Sequence, residues 1–203
     1  MFLPENYREI PASIGDYMRM EDGANNIRIL SSAIVGYEYW NTENKPVRNR
    51  TPWETLPGDI RIEKNGSISK IKHFWAFVVW NYEKSKIQIL QVTQKTIMEG
   101  IKSLIDNPKW GDPKTFDITI TKMGEGLETS YSVMPNPHSA VEDTVTAEFR
   151  KKTVNLEALY EGKDPFVNTA TPAEIVAKAS GGKFSPQKPL STEDDRKMEE
   201  TRY

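Results

Sequence analysis

The chain has no cysteine and only two histidines in 203 residues. Disulfides and thiolate metal sites are therefore excluded, and the composition fits a protein of the reducing cytoplasm. His73 stands at a strand start and His138 in a polar stretch, and neither has carboxylates at ligand spacing. No nucleophile stands with a base, and the Gly-Glu-Gly at 124–126 sits in a hairpin turn rather than before a helix, so a phosphate cradle has no support. The expectation is no catalytic residue, no metal and no cofactor. No apolar run approaches the ~20 residues that span a bilayer. The opening MFLPENYREIPASIGDY lacks the basic flank and apolar run of a secretory signal. Hydrophobic residues make up 37% of the chain and charged residues 28%. That is lean for a compact domain and implies one core-forming domain with solvated loops and tails.

What is present is a strand-rich middle. Residues 26–40, NIRILSSAIVGYEYW, are dense in β-branched and aromatic types and read as one long strand, broken or bulged at Ser31-Ser32 or at Gly36. Residues 41–72 are polar and contain three prolines, and their Asn65-Gly66 pair predicts loop with a small hairpin. Residues 73–81 and 86–93 read as a hairpin. In QKTIMEGIKSLIDNP, Ile97, Met98, Ile101, Leu104 and Ile105 share one face of a helix that starts near Thr93 and stops at Asn107-Pro108. Trp110 follows as a packing plug. Phe116, Ile118 and Ile120, then Tyr131 and Val133, alternate with polar residues in a second hairpin.

This order predicts a mainly β fold: a five-stranded OB-like barrel with one helix between its third and fourth strands, plus short C-terminal helices. An open α+β sheet shares the order. The expected organisation is an N-terminal arm over 1–23, the OB-like domain over 24–135, linker and short helices over 136–180, and a flexible, mildly acidic tail over 181–203. In the third segment, residues 154–160 before Gly162 read as one short helix. Thr171, Pro172 and Glu174 open another, closed by Gly181-Gly182.

In KHFWAFVVWNY, residues 72–82, the side chains from Phe74 to Trp80 are all apolar or aromatic. A half-buried strand needs such a residue only at alternate positions. The second face is therefore either covered or left open for a ligand. Ala76 and Val78 suit a tapering barrel interior, which turns Trp75 and Phe77 outward; the opposite assignment stays open.

Between Ala24 and Lys95 stand eleven basic and six acidic residues, a net of +5 in a chain of net charge −2, and four of the five tryptophans lie in the same window. Aromatics among cations are what a sequence-tolerant single-strand site needs: bases stack on the rings and cations follow the phosphates. The candidate contacts are Arg28, Tyr39, Trp40, Lys45, Arg48, Arg50, Trp53, Lys70, Lys72, Trp75 and Phe77. Arg28 alternates with Ile27 and Ile29 and should face solvent. Two rivals stand beside this reading. One is a protein-interaction module, such as an inhibitor of a host enzyme, using the same aromatic patch. The other is a nuclease accessory with a carboxylate-bound metal.

The stretches NNIRIL, GYEYW, KPVR, KHFWAFVVWNYEKSKIQILQVTQKTI and WGDPKTFDITITKMGEGLETSYSVMPNP resemble those of tailed-phage single-stranded DNA-binding replication proteins with an OB-fold. The similarity covers roughly residues 1–140. It implies a helix-destabilising protein that coats single-stranded DNA in phage replication and recombination, in the host cytoplasm. It also implies a tail that contacts replication or recombination proteins. The chain lacks the Cys/His zinc site of the best-known phage helix-destabilising proteins, so no metal is carried over. Its tail is only mildly acidic and holds Arg196, Lys197 and Arg202.

Overall fold

The computed structural model describes residues 17–167. Most of the expected arm, the expected helix near 171–180 and the tail over 181–203 lie outside the described residues. β1 (Gly23–Ile29) and β2 (Ile34–Trp40) run one after the other along the same edge of β4 (Lys72–Asn81). Ile29 pairs with Val79 and Ile34 with Ala76. They are the two halves of the long strand read from the sequence, and the break falls at residues 30–33. More residues there face fewer on β4, so the chain bulges. The Leu30 N–H donates to the Val78 carbonyl, and the Val78 N–H donates to the Ser31 hydroxyl, both at 2.9 Å. Gly36, the other candidate for the break, lies inside β2. A Cβ there would stand 2.4 Å from the Asn49 carbonyl of β3 (Pro46–Asn49), so its role is close approach.

β4 and β5 (Lys86–Val92) form the expected hairpin. α1 (Lys95–Asp106) follows, then the antiparallel pair β6 (Phe116–Met123) and β7 (Ser130–His138). The seven strands make one antiparallel sheet in the order β3-β2-β4-β1-β6-β7, with β5 on β4. The fold is mainly β, as expected, with the helix between the two hairpins. The sheet is open, however, and the closed five-stranded barrel is not what is found, because β5 and β7 do not pair. α1 lies against β7 instead, and its Ile97, Ile101 and Leu104 fill the space under the sheet. The outer edge of β5 takes a parallel bridge from Tyr17 to Ile89.

The approach of α1 to β7 depends on Gly100. A Cβ there would stand 2.8 Å from the Cβ of Val133, an atom that no rotamer change can move. Helix propensity alone would make Gly100→Ala a gain of about 1 kcal/mol. Overpacking reverses the sign, and Gly100→Ala is expected to lose about 1–3 kcal/mol in urea denaturation. A more stable variant would contradict the packing described.

The sheet carries apolar layers on both faces, which answers the question posed by β4. Phe77 and Val79 point into a core with Ile27, Ile29, Ile97, Ile101, Phe116 and Ile118. Phe74, Ala76, Val78 and Trp80 point the other way, into a second core with Ile87 and Ile89. That second face is covered by residues 141–166, which the composition presents as linker and short helices. They form α2 (Asp143–Arg150), the small pair β8 (Thr153–Val154) and β9 (Phe166–Val167), and a 3-10 turn (Leu156–Glu161) closed by Gly162 in the left-handed region. Val145, Leu156 and Leu159 are the buried plugs. The expectation that Phe77 faces outward is thus corrected: it is 2% exposed. Among the described residues, no helix is long and apolar enough to cross a membrane.

Candidate nucleic-acid interface

Several sequence-derived candidates are internal. Arg28, expected to face solvent, is 1% exposed. Its guanidinium pairs with Asp117, and two of its nitrogens donate to the carbonyl and hydroxyl of Ser139 at 3.1 and 2.7 Å. Alternation sorts two faces, and here both are covered. Arg48 donates to Glu38 at 3.2 Å and to Gln91 at 2.8 Å, with both charged side chains under 10% exposed, and lies 5.7 Å from the Phe74 ring centre. Tyr39 is buried and donates to Asp59 at 2.7 Å, with Trp53 edge-on at 4.9 Å. These residues hold the fold around the site.

The tyrosines give a pH test of that burial. The Tyr39 hydroxyl is pushed up to about 12, chiefly by burial and then by its hydrogen bond to Asp59. Tyr82 is likewise raised to about 12, by burial first and then by the Asp117 charge. An unfolded tyrosine ionises near pH 10. Above that pH the unfolded chain loses protons that the folded chain retains. Stability present below about pH 10 is therefore expected to fall between about pH 10 and 12. Urea midpoints measured across this window check it, and a flat profile would show that both hydroxyls are solvated.

The remaining candidates are on the surface. Trp40 is 38% exposed, with the Arg61 guanidinium 5.7 Å from its ring centre. Lys45 pairs with Glu43 at 2.8 Å. Arg50 pairs with Glu157 and lies 4.4 Å over Tyr160. Trp75 is half-buried at the margin of the first core. Lys70 and Lys72 are exposed, and neither forms an ion pair among the described residues.

The register then joins residues the sequence did not bring together. Tyr37 pairs with His73 and Val35 with Trp75, so these four side chains share one face. The Tyr37 and His73 rings lie 5.2 Å apart, and those of His73 and Trp75 6.5 Å apart. Val35 is 49% exposed beside them. The β4–β5 ladder begins at Trp75, paired with Val92, so residues 72–74 are unpaired on that side. A row of rings therefore runs to an open strand edge, where alternation sends Lys72 to the opposite face from His73. No spacing in the sequence could have found Tyr37 and His73, which lie in different strands and meet only through the pairing register.

The long loop forms the small hairpin expected at Asn65-Gly66: Ile62 bridges Ile68, and the Glu63 N–H donates to the Ser67 carbonyl at 2.7 Å. Arg61 donates to Asn44 and to Glu63, while its Nε is buried with no hydrogen-bond partner among the described residues. Trp110 is the expected packing plug, edge-on to Phe116 and stacked on His138.

No family model matches the chain, and no solved structure matches it. Among curated proteins, a "Probable ssDNA-binding protein" of Escherichia phage T5 is 25% identical over 140 residues, covering 58% of this chain. The match spans about half of the phage protein, 54% of its length.

Proposed function

We propose that the chain binds single-stranded DNA with little sequence preference and without catalysis, in phage replication or recombination. The observation that carries this reading is the ring row Tyr37, His73, Trp75 at an open strand edge, with the exposed Lys70 and Lys72 where the chain enters that strand, Lys72 on its other face. Rings at this spacing give stacking surfaces of ~1–3 kcal/mol per base, indifferent to base identity. The flanking ammonium groups, with Lys64 and Arg61 of the loop hairpin, would meet the phosphates. The strand order, with the long loop between the first and second OB-type strands, supports an OB-like plan left open at its last seam. The name of the phage T5 relative points to the same ligand. Arg28, Arg48, Tyr39 and Phe77 support the site and do not touch DNA in this proposal. Replication or recombination proteins would dock through the C-terminal tail, residues 181–203.

Titration of tryptophan emission with oligo-dT is the test. Quenching is expected, with no comparable effect from duplex. Three neutralised phosphates give a salt slope of about −2, so raising salt about fourfold lowers affinity about 20-fold. Lys70→Glu with Lys72→Glu should remove most of that slope. Single strands incubated with Mg²⁺ should stay intact, and cleavage would revive the enzyme reading.

The protein-interaction reading keeps one specific support. Ile62 and Ile68 face each other across the loop hairpin at 67% and 50% exposure, with Leu56 at 57%. Emission unchanged by oligo-dT at low salt would favour it.

A further inference from the structure

We infer that a cleft at the Trp75 end of the ring row takes one unstacked nucleobase and prefers a base with an exocyclic amino group; this rests on the single-strand reading above. The cleft, of about 230 Å³, lies between the β1–β2 bulge and the C-terminal half of α1. Trp75, Phe77, Ile101 and Ile105 make its walls, and Asp112 and Lys114 stand at its rim.

Three features select a base as the occupant. Its volume lies below the usual ~300–1,000 Å³ of pockets that enclose drug-sized ligands, and suits one flat ring system. Its wall continues the row: Trp75 is the last ring after Tyr37 and His73, so a strand tracking that row delivers its next base here. Its rim is ordered and charged. One oxygen of Asp112 accepts the Lys114 backbone N–H at 3.0 Å, and the other lies 3.4 Å from the Lys114 ammonium. That ammonium suits a phosphate at the mouth, while the carboxylate accepts and cannot donate. A carboxylate reads the N4 amino group of cytosine or the N6 amino group of adenine, and finds no partner on the O4 of thymine. Ile105, 46% exposed on the same wall, supplies apolar surface for a base to cover.

The test compares short oligo-dC and oligo-dT of one length by fluorescence anisotropy. The full chain is expected to favour dC about two- to tenfold, the range of one hydrogen bond. Asp112→Asn keeps the acceptor for the Lys114 N–H and replaces the second oxygen with a donor, so the preference should reverse toward dT. Ala33→Trp fills the cleft from its exposed wall. It should abolish the preference and leave the Lys70- and Lys72-dependent salt slope in place. Ile105→Glu, in an exposed helix position, serves the same purpose if Ala33→Trp melts early.

Equal affinity for dC and dT in the native chain overturns the cleft and leaves single-strand binding standing. So does a preference that survives both cleft variants. Failure to bind either oligonucleotide removes both readings together.

Discussion

Asp117→Ala is expected to cost about 3–5 kcal/mol, because it strands the Arg28 charge inside the fold. For a domain of this size that lowers the melting temperature by roughly 10 °C. The pair is asymmetric. The Arg28 side chain is 1% exposed and Asp117 is 23% exposed. Asp117 also accepts from the Tyr82 hydroxyl at 3.1 Å and can recruit water. Among the described residues, Arg28 donates to Asp117 and to the two oxygens of Ser139. Arg28→Met, which removes the charge and keeps much of the volume, should therefore cost clearly less than Asp117→Ala. Neither variant should change the DNA affinity of the folded fraction by more than about twofold. Urea denaturation and an oligo-dT titration on the same samples decide it. A folded Arg28→Met chain that has lost its affinity would restore Arg28 as a contact, as alternation in the sequence suggested.

That residue shows where the sequence was legible and where it was not. Local order could be read. The hairpin of β4 and β5 announces itself by alternation on either side of a polar turn. α1 follows from five apolar residues at helical spacing, and Asn65-Gly66 from the turn chemistry of the pair. The even apolar content of β4 is visible too, and it leaves two outcomes, a covered second face or an open one; the structure has the covered one. The cover itself was hidden, because Val145, Leu156 and Leu159 are scattered singly in a polar stretch. Once both faces are covered, alternation no longer tells core from solvent, and that is why Arg28 and Phe77, expected to face outward, are internal. The ring row fails differently. Tyr37 and His73 become neighbours only when β2 and β4 adopt their register, which depends on the bulge at residues 30–33. Long-range pairing of this kind leaves no mark on local spacing.

A chain ended after residue 140 is expected to be insoluble, while one ended after residue 167 keeps the layer and serves as control. Truncation would uncover Phe74, Ala76, Val78, Trp80, Ile87 and Ile89, all at most 8% exposed in the full fold. It would also remove the burial of Val145, Leu156 and Leu159. Each such side chain contributes about 1.5–3 kcal/mol, so together they are comparable to the ~5–15 kcal/mol that holds a typical domain folded. An exposed apolar sheet face of that extent promotes association. Any soluble fraction should show red-shifted emission from Trp80 and a broad melt. The result bears on function as well as stability. In OB-type proteins the outer face of the second and third strands carries the ligand, and here residues 141–166 cover the Phe74–Trp80 face of the β4–β5 hairpin. If they are structural, the proposed single-strand site has to lie on the opposite face, where Tyr37, His73 and Trp75 stand. A truncated chain that stays soluble, melts cooperatively and binds oligo-dT more tightly than the full chain would make the layer a displaceable cover, and would move the site to Phe74 and Trp80.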